Sequence, residues 1–147
     1  MSTYKRLLLV VDLSDDSLTI GRRAQTLART FGARIDLLHV FEFVPVEPMG
    51  ETLMPAVEIE EELLERAKQR LKRLAVELDL EDAELFIEAG NVKSEILRVA
   101  RERGNDLIVI GSRERHGMSI LVNLTEDTVL HGAPCDVLAV RVGGTGR

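Results

Sequence analysis

The sequence predicts an α/β fold, a single open five-stranded parallel sheet with helices on both faces, Rossmann-like in architecture. Three observations predict it. Short runs of Leu, Val and Ile alternate along the chain with longer segments whose apolar residues recur at helical spacing. Several of the short runs are apolar at every position, as strands buried on both faces are. Glycines and prolines separate the segments, so the elements are short and distinct. Alternation of strand and helix implies parallel pairing through right-handed crossovers.

Each element has its own signal. Leu7 to Val11 is a continuous apolar run and reads as the first strand. Asp12 and Ser14 follow, with side-chain oxygens suited to the start of a helix. Leu18, Ala24, Leu27, Ala28 and Phe31 then lie near helical spacing, and Gly32 stops that helix. Ile35 to Phe41 is the second strand. The segment Glu42 to Pro55 contains three prolines and is about fourteen residues long, a length usual for functional or mobile loops. Its Met49, Leu53 and Met54 suit a cover for a cleft, a partner surface or a contact with a second copy equally well.

Ala56 to Leu78 is a helix with Ile59, Leu63, Ala67, Leu71, Leu74 and Leu78 on one face and charged residues on the other. Ala83 to Glu88 reads as the third strand. Gly90-Asn91 opens a helix that turns Ile96, Leu97, Val99 and Ala100 to the core and ends at Gly104. Leu107 to Ile110 is the fourth strand, Gly111 to Ser119 a loop, and Leu121 to His131 the last helix. Gly132-Ala133-Pro134 breaks the chain before a fifth strand, Asp136 to Val142. No composition shift divides the sequence, so residues 1–147 are expected to form one domain.

Composition narrows the function classes. The chain has 147 residues and a net charge of −6, which repels phosphate backbones and anionic lipid surfaces. Neither a nucleic acid nor a membrane is an expected partner. There is no Trp and only one Tyr, so platforms for stacking bases are scarce. One cysteine, Cys135, can form neither an internal disulfide nor a multi-cysteine metal site, in keeping with a reducing, cytoplasmic setting. No leader-like segment precedes the first strand, and no apolar run approaches the ~18 residues that span a bilayer.

In such a fold ligands bind beyond the carboxyl ends of the strands, where the strand order reverses. That points to Asp12 to Ser14 and to Gly111 to Ser119. Asp12 offers a carboxylate to a small ligand, or is an acid favoured beside the start of a helix. In Gly111-Ser112-Arg113-Glu114-Arg115-His116-Gly117, Arg113 and Arg115 suit a phosphate while Glu114 opposes one, and the glycine spacing matches no P-loop. Thr125 is a candidate helix cap followed by Glu126 and Asp127. The histidines, His39, His116 and His131, lie in different elements and give no metal-ligand spacing. Ser112 lacks a nucleophile elbow. Cys135 reads as a small buried residue, and the acidic run Glu58 to Glu62 as a solvated helix face.

Three blocks together resemble the universal stress protein family. They are Tyr4-Lys5-Arg6-Leu7-Leu8-Leu9-Val10-Val11-Asp12-Leu13-Ser14, Asp106-Leu107-Ile108-Val109-Ile110-Gly111-Ser112-Arg113, and His131-Gly132-Ala133-Pro134-Cys135-Asp136-Val137-Leu138-Ala139-Val140-Arg141. In the family's ATP-binding members the strand-four loop carries a glycine, two residues, a second glycine, nine residues, and a third glycine followed by Ser or Thr. Gly111 matches the first glycine, but Glu114 and Leu124 occupy the other two positions, and Thr125 matches the hydroxyl. Asp12 and Val40 match positions near adenine and ribose, and Arg113 a common basic residue.

A Cβ and a negative charge at 114, and a bulky group at 124, close a backbone approach to phosphate that glycine allows. Each acid near a triphosphate costs about 1 kcal/mol in a partly screened site. The resemblance therefore implies the branch of the family that does not bind ATP: a non-enzymatic, dimeric stress-response protein with no cofactor and an unidentified protein partner. A nucleotide-binding switch for ATP or AMP, or a slow ATPase, would use Asp12, Val40, Gly111, Arg113 and Thr125. The homodimer is expected through the fifth strand, Asp136 to Val142, whose apolar edge must be paired or covered.

Overall fold

The computed structural model describes residues 4–42, 56–113, 129 and 131–142. In chain order they form β1 (Arg6–Val10), α1 (Ser17–Phe31), β2 (Arg34–Phe41), α2 (Ala56–Glu77), β3 (Glu84–Ala89), α3 (Val92–Arg103), β4 (Leu107–Arg113) and β5 (Asp136–Val142), with helical residues at 129 and 131–132 before β5. The strands form one parallel sheet in the order β3-β2-β1-β4-β5. The chain moves outward from β1 through β2 to β3, then crosses to the other side of β1 for β4 and β5. The order therefore reverses between β1 and β4.

The apolar runs dictate this layering. Along β1 the side chains alternate between two cores. Leu7 and Leu9 point to the layer of α1 and α2, with Ile35, Leu37, Val109, Leu71 and Leu78. Leu8 and Val10 point to the layer of α3, with Leu38, Ile108, Ile96 and Val129. Each fully buried leucine contributes roughly 2 kcal/mol of transfer free energy, so the central strand anchors both layers. Gly32 and Gly104 end α1 and α3 in left-handed conformations at φ 65° and 68°, as residues without a Cβ do cheaply. The side chain of Asn91 caps α3 by accepting from the Ser94 amide at 2.9 Å.

The structure corrects four local expectations. β4 does not end at Ile110. Gly111, Ser112 and Arg113 continue it opposite Val140, Arg141 and Val142, because β5 offers a ladder there. α1 begins at Ser17, and its cap, Asp16, makes no side-chain capping bond. Neither Asp12 nor Ser14 is the cap. Leu63 lies at the margin of the core stripe and is 38% exposed. Cys135 is only half-buried, packed against the α3-side core. All of the expected Glu42 to Pro55 loop except Glu42, and most of the last helix, including Thr125, lie outside the described residues.

Candidate functional site

The carboxyl ends of β1, β2 and β4 converge at one pole of the sheet, where the strand order reverses. Asp12 follows the end of β1, Val40 is the last residue but one of β2, and Gly111 lies two residues before the end of β4. β1 is prolonged by one bond, from the Val11 amide to the Leu38 carbonyl at 2.9 Å, and then the chain turns sharply. Leu13 takes φ 64°, a left-handed conformation that costs a leucine about 1 kcal/mol. Its side chain is nonetheless buried in the core beneath α1 and α2, which offsets the strain.

Asp12 is exposed, and its Oδ1 accepts from the Ser14 amide at 2.9 Å and, more weakly, from the Ser17 hydroxyl at 3.5 Å. This turn-forming carboxylate aligns the start of α1 without capping it. Two side chains hold the carbonyls on either side of Asp12. His39 Nδ1 donates to the Val11 carbonyl at 2.9 Å. Because a carbonyl only accepts, that nitrogen carries the proton. Burial pushes the His39 imidazole below its ordinary 6.5, so the ring is neutral at pH 7. From α2, the Arg70 guanidinium donates to the Leu13 carbonyl. Sequence reasoning assigned no role to either residue. His39 carries one faint signal, a polar ring inside an apolar strand; Arg70 carries none, being one cation among several on a charged helix.

The remaining candidates fall as follows. Val40 is buried, and its side chain belongs to the α3-side core, so only its backbone faces the pole. Gly111 sits in β4, where an added Cβ would lie 2.5 Å from Ile20 Cδ1. The tip of the α1 side chain Ile20 occupies the space beside that glycine. The backbone of Arg113 ends β4. Thr125, Glu114 and Leu124 lie outside the described residues. Burial raises the Cys135 thiol, leaving it protonated and a poor nucleophile. Among the described residues no group of three His, Cys, Asp or Glu could hold a metal ion, and no helix is long and apolar enough to cross a membrane.

Among the described residues, clefts lie near both poles of the sheet, and one of about 380 Å³ lies between Tyr4, Phe31 and the start of β5. Another, of about 320 Å³, lies between the Asp12 loop and α2, lined by Ser14, Ser17, Leu18, Arg70 and Arg73 among others. A larger one, about 430 Å³, lies at the opposite pole beside Arg29, Arg34, Asp36, Asp79 and Glu84. Ligand sites in open parallel sheets lie at the carboxyl pole, so the cleft lined by Arg70 adjoins the candidate site.

The sequence profile of the universal stress protein family matches residues 3–141. The chain belongs to the universal stress protein family. Universal stress protein A homolog 2 of Coxiella burnetii is 35% identical over 146 residues, spanning 99% of this chain and 100% of that protein. Homolog 1 from the same organism is 33% identical, spanning 93% and 96%. Among solved structures, universal stress protein UspA of Lactobacillus plantarum superposes with a TM-score of 0.74 at 23% identity, covering 96% of this chain and 100% of that one. A universal stress protein solved in complex with cAMP superposes with a TM-score of 0.61 at 22% identity, covering 95% and 98%. These likenesses agree with the five-stranded parallel fold of the family.

Proposed function

We propose that this universal stress protein is a non-enzymatic, dimeric stress-response module of the cytoplasm, one domain over 1–147, that binds a protein partner and does not bind ATP tightly. The observation that carries this reading concerns Gly111. It is the one motif glycine that remains, and Ile20 packs where its Cβ would be. Gly111 therefore has a packing contact in the fold that involves no phosphate. At the other two motif positions stand Glu114 and Leu124. Asp12, Asp15 and Asp16 already surround the start of α1, so the positive end of that helix has carboxylates beside it and little attraction left for an anion.

Dimerisation is supported by the sheet. β5 pairs with β4 on one side only, and Val137, Leu138 and Ala139 are half-exposed. Such an edge is a template for a second strand.

A nucleotide-gated switch or slow ATPase is the second reading. The cAMP complex of a structural neighbour favours it, as does the gathering of Asp12, Val40 and Gly111 at one pole. Isothermal titration calorimetry with ATP, ADP and AMP, with and without Mg²⁺, separates the two. No heat at millimolar nucleotide is the expected result; micromolar binding would put the switch first. Sedimentation velocity tests the dimer: wild type should sediment as a dimer and Ala139→Arg, at the β5 edge, as a monomer. A monomeric wild type would overturn that part.

A further inference from the structure

The face built by α1 and residues 66–76 of α2 differs in charge from the rest of the molecule. Residues 17–31 and 66–76 hold eight of the 19 Lys and Arg and none of the 25 Asp and Glu. The two stretches adjoin in the fold. Both helices cover the same side of the sheet, the Gln25 side chain of α1 donates to the Leu78 carbonyl just beyond α2, and Leu18 shares a cleft with Arg73.

Two of the eight cations have work inside the fold. Arg66 pairs with Glu62 at 3.0 Å, and Arg70 holds the Leu13 carbonyl. The other six are Arg22, Arg23 and Arg29 on α1 and Lys68, Lys72 and Arg73 on α2. All six are exposed, and none forms an ion pair with a described residue. On α3, by contrast, Arg98 is met by Glu88, Glu95 and Glu102 within 2.9 Å.

Helix dipoles do not account for the concentration. Their effect is confined to the last turn, where α2 has no cation and α1 has only Arg29. The like charges repel one another in the isolated protein, and an opposing charge relieves that repulsion.

We propose that this face is the docking surface for a carboxylate-rich segment of a partner protein. The inference deepens the interaction-module reading and rests on it, giving the unnamed partner a chemistry. Arginine forks bind carboxylates in pairs of parallel hydrogen bonds. The face is bordered by Asp15, Glu65, Glu77 and Asp79, so a short acidic segment fits within it, whereas an extended phosphate backbone or lipid surface meets those acids and the overall charge of −6.

Fluorescence anisotropy of a labelled peptide of alternating Glu and Ser, titrated with the full chain at low salt, tests the proposal. The peptide should bind. Reversing Arg22→Glu and Arg73→Glu together should weaken it roughly tenfold, as two exposed ion pairs would. Reversing Lys93→Glu and Arg101→Glu on α3, also exposed and in no ion pair with a described residue, should leave it unchanged. Absence of peptide binding, equal loss from both pairs of changes, or tighter binding of single-stranded DNA or anionic vesicles would overturn the proposal. So would salt-sensitive assembly beyond a dimer that only the Arg22/Arg73 variant loses, since a second copy would then cover the face. Nucleotide calorimetry on the same protein keeps the two ideas apart. Peptide binding together with micromolar nucleotide binding removes the module reading, while silence in both experiments removes the surface alone.

Discussion

His39 links a titratable ring to the geometry of the candidate site. Its Nδ1–H holds the Val11 carbonyl, and the charged groups that face it are Asp12 from the loop and Arg70 from α2. Burial is the largest influence and favours the neutral ring, so the folded pKa lies below the unfolded one. Between those two values the unfolded chain binds more protons than the folded chain, and stability rises with pH. The contribution of His39 is thus complete above its ordinary 6.5 and is lost as pH falls below that value toward the folded pKa. Thermal melts of wild type should shift downward over that interval, and His39→Gln, which keeps an N–H donor but does not titrate, should flatten the slope. Identical slopes would remove the ring from the account. The pair Asp12 and Leu13 shows the same logic without titration: a carboxylate forms the turn, and a strained leucine is retained because its side chain is buried.

At the scale of elements, α1 is packed unusually close to its neighbours through two glycine contacts. A Cβ at Gly21 would lie 2.3 Å from Leu78 Cδ1, 3.0 Å from Cδ2 and 3.2 Å from Cγ. Leu78 is 1% exposed and cannot swing aside. A Cβ at Gly111 would meet chiefly the tip of Ile20. Gly21→Ala should therefore destabilise by about 2 kcal/mol and Gly111→Ala by about 1 kcal/mol or less, as read from denaturant midpoints. The reverse ranking would show that β4, rather than α2, fixes the position of α1. Each element was foreseeable from its own stretch of chain, but not its ends. β4 outran its apolar run because β5 extends the ladder, and Asp16 took the cap because the Asp12 turn uses up the residues before it.

Across the whole molecule the two poles of the sheet divide the labour. At the amino pole Asp36, 2% exposed, accepts from Arg6 Nε at 3.1 Å and Asn105 Nδ2 at 3.0 Å, with Arg103 Nε at 3.7 Å. Arg103 also reaches Glu84 at 2.7 Å and lies over the Phe86 ring. One carboxylate thus joins β1, β2, α3 and the turn before β4, with β3 attached through Glu84. Asp36→Ala would leave the Arg6 guanidinium and the buried Asn105 amide without their acceptor and Arg103 without its nearest buried carboxylate, and should cost about 3 kcal/mol or more. Chemical denaturation checks this; a loss under about 1 kcal/mol would mean that the cluster behaves as a surface pair. With stability secured there, the carboxyl pole is left to present the Asp12 loop.

The sequence by itself determined the α/β class, the parallel order implied by alternation, the two-sided core and the family. All of these rest on local pattern: apolar runs such as Leu7 to Val11, helix stops such as Gly32, and blocks of adjacent residues. It also pointed to Asp12 just beyond β1, but it ended β4 at Ile110, ahead of Gly111, which the ladder with β5 keeps inside the strand. Only the tertiary structure decided what those residues touch. That His39 and Arg70 grip the carbonyls beside Asp12, that Gly111 makes room for Ile20, and that cations from two separate helices share one face all depend on contacts between residues distant in the chain. No periodicity or spacing encodes such contacts; they arise when the sheet brings the elements together.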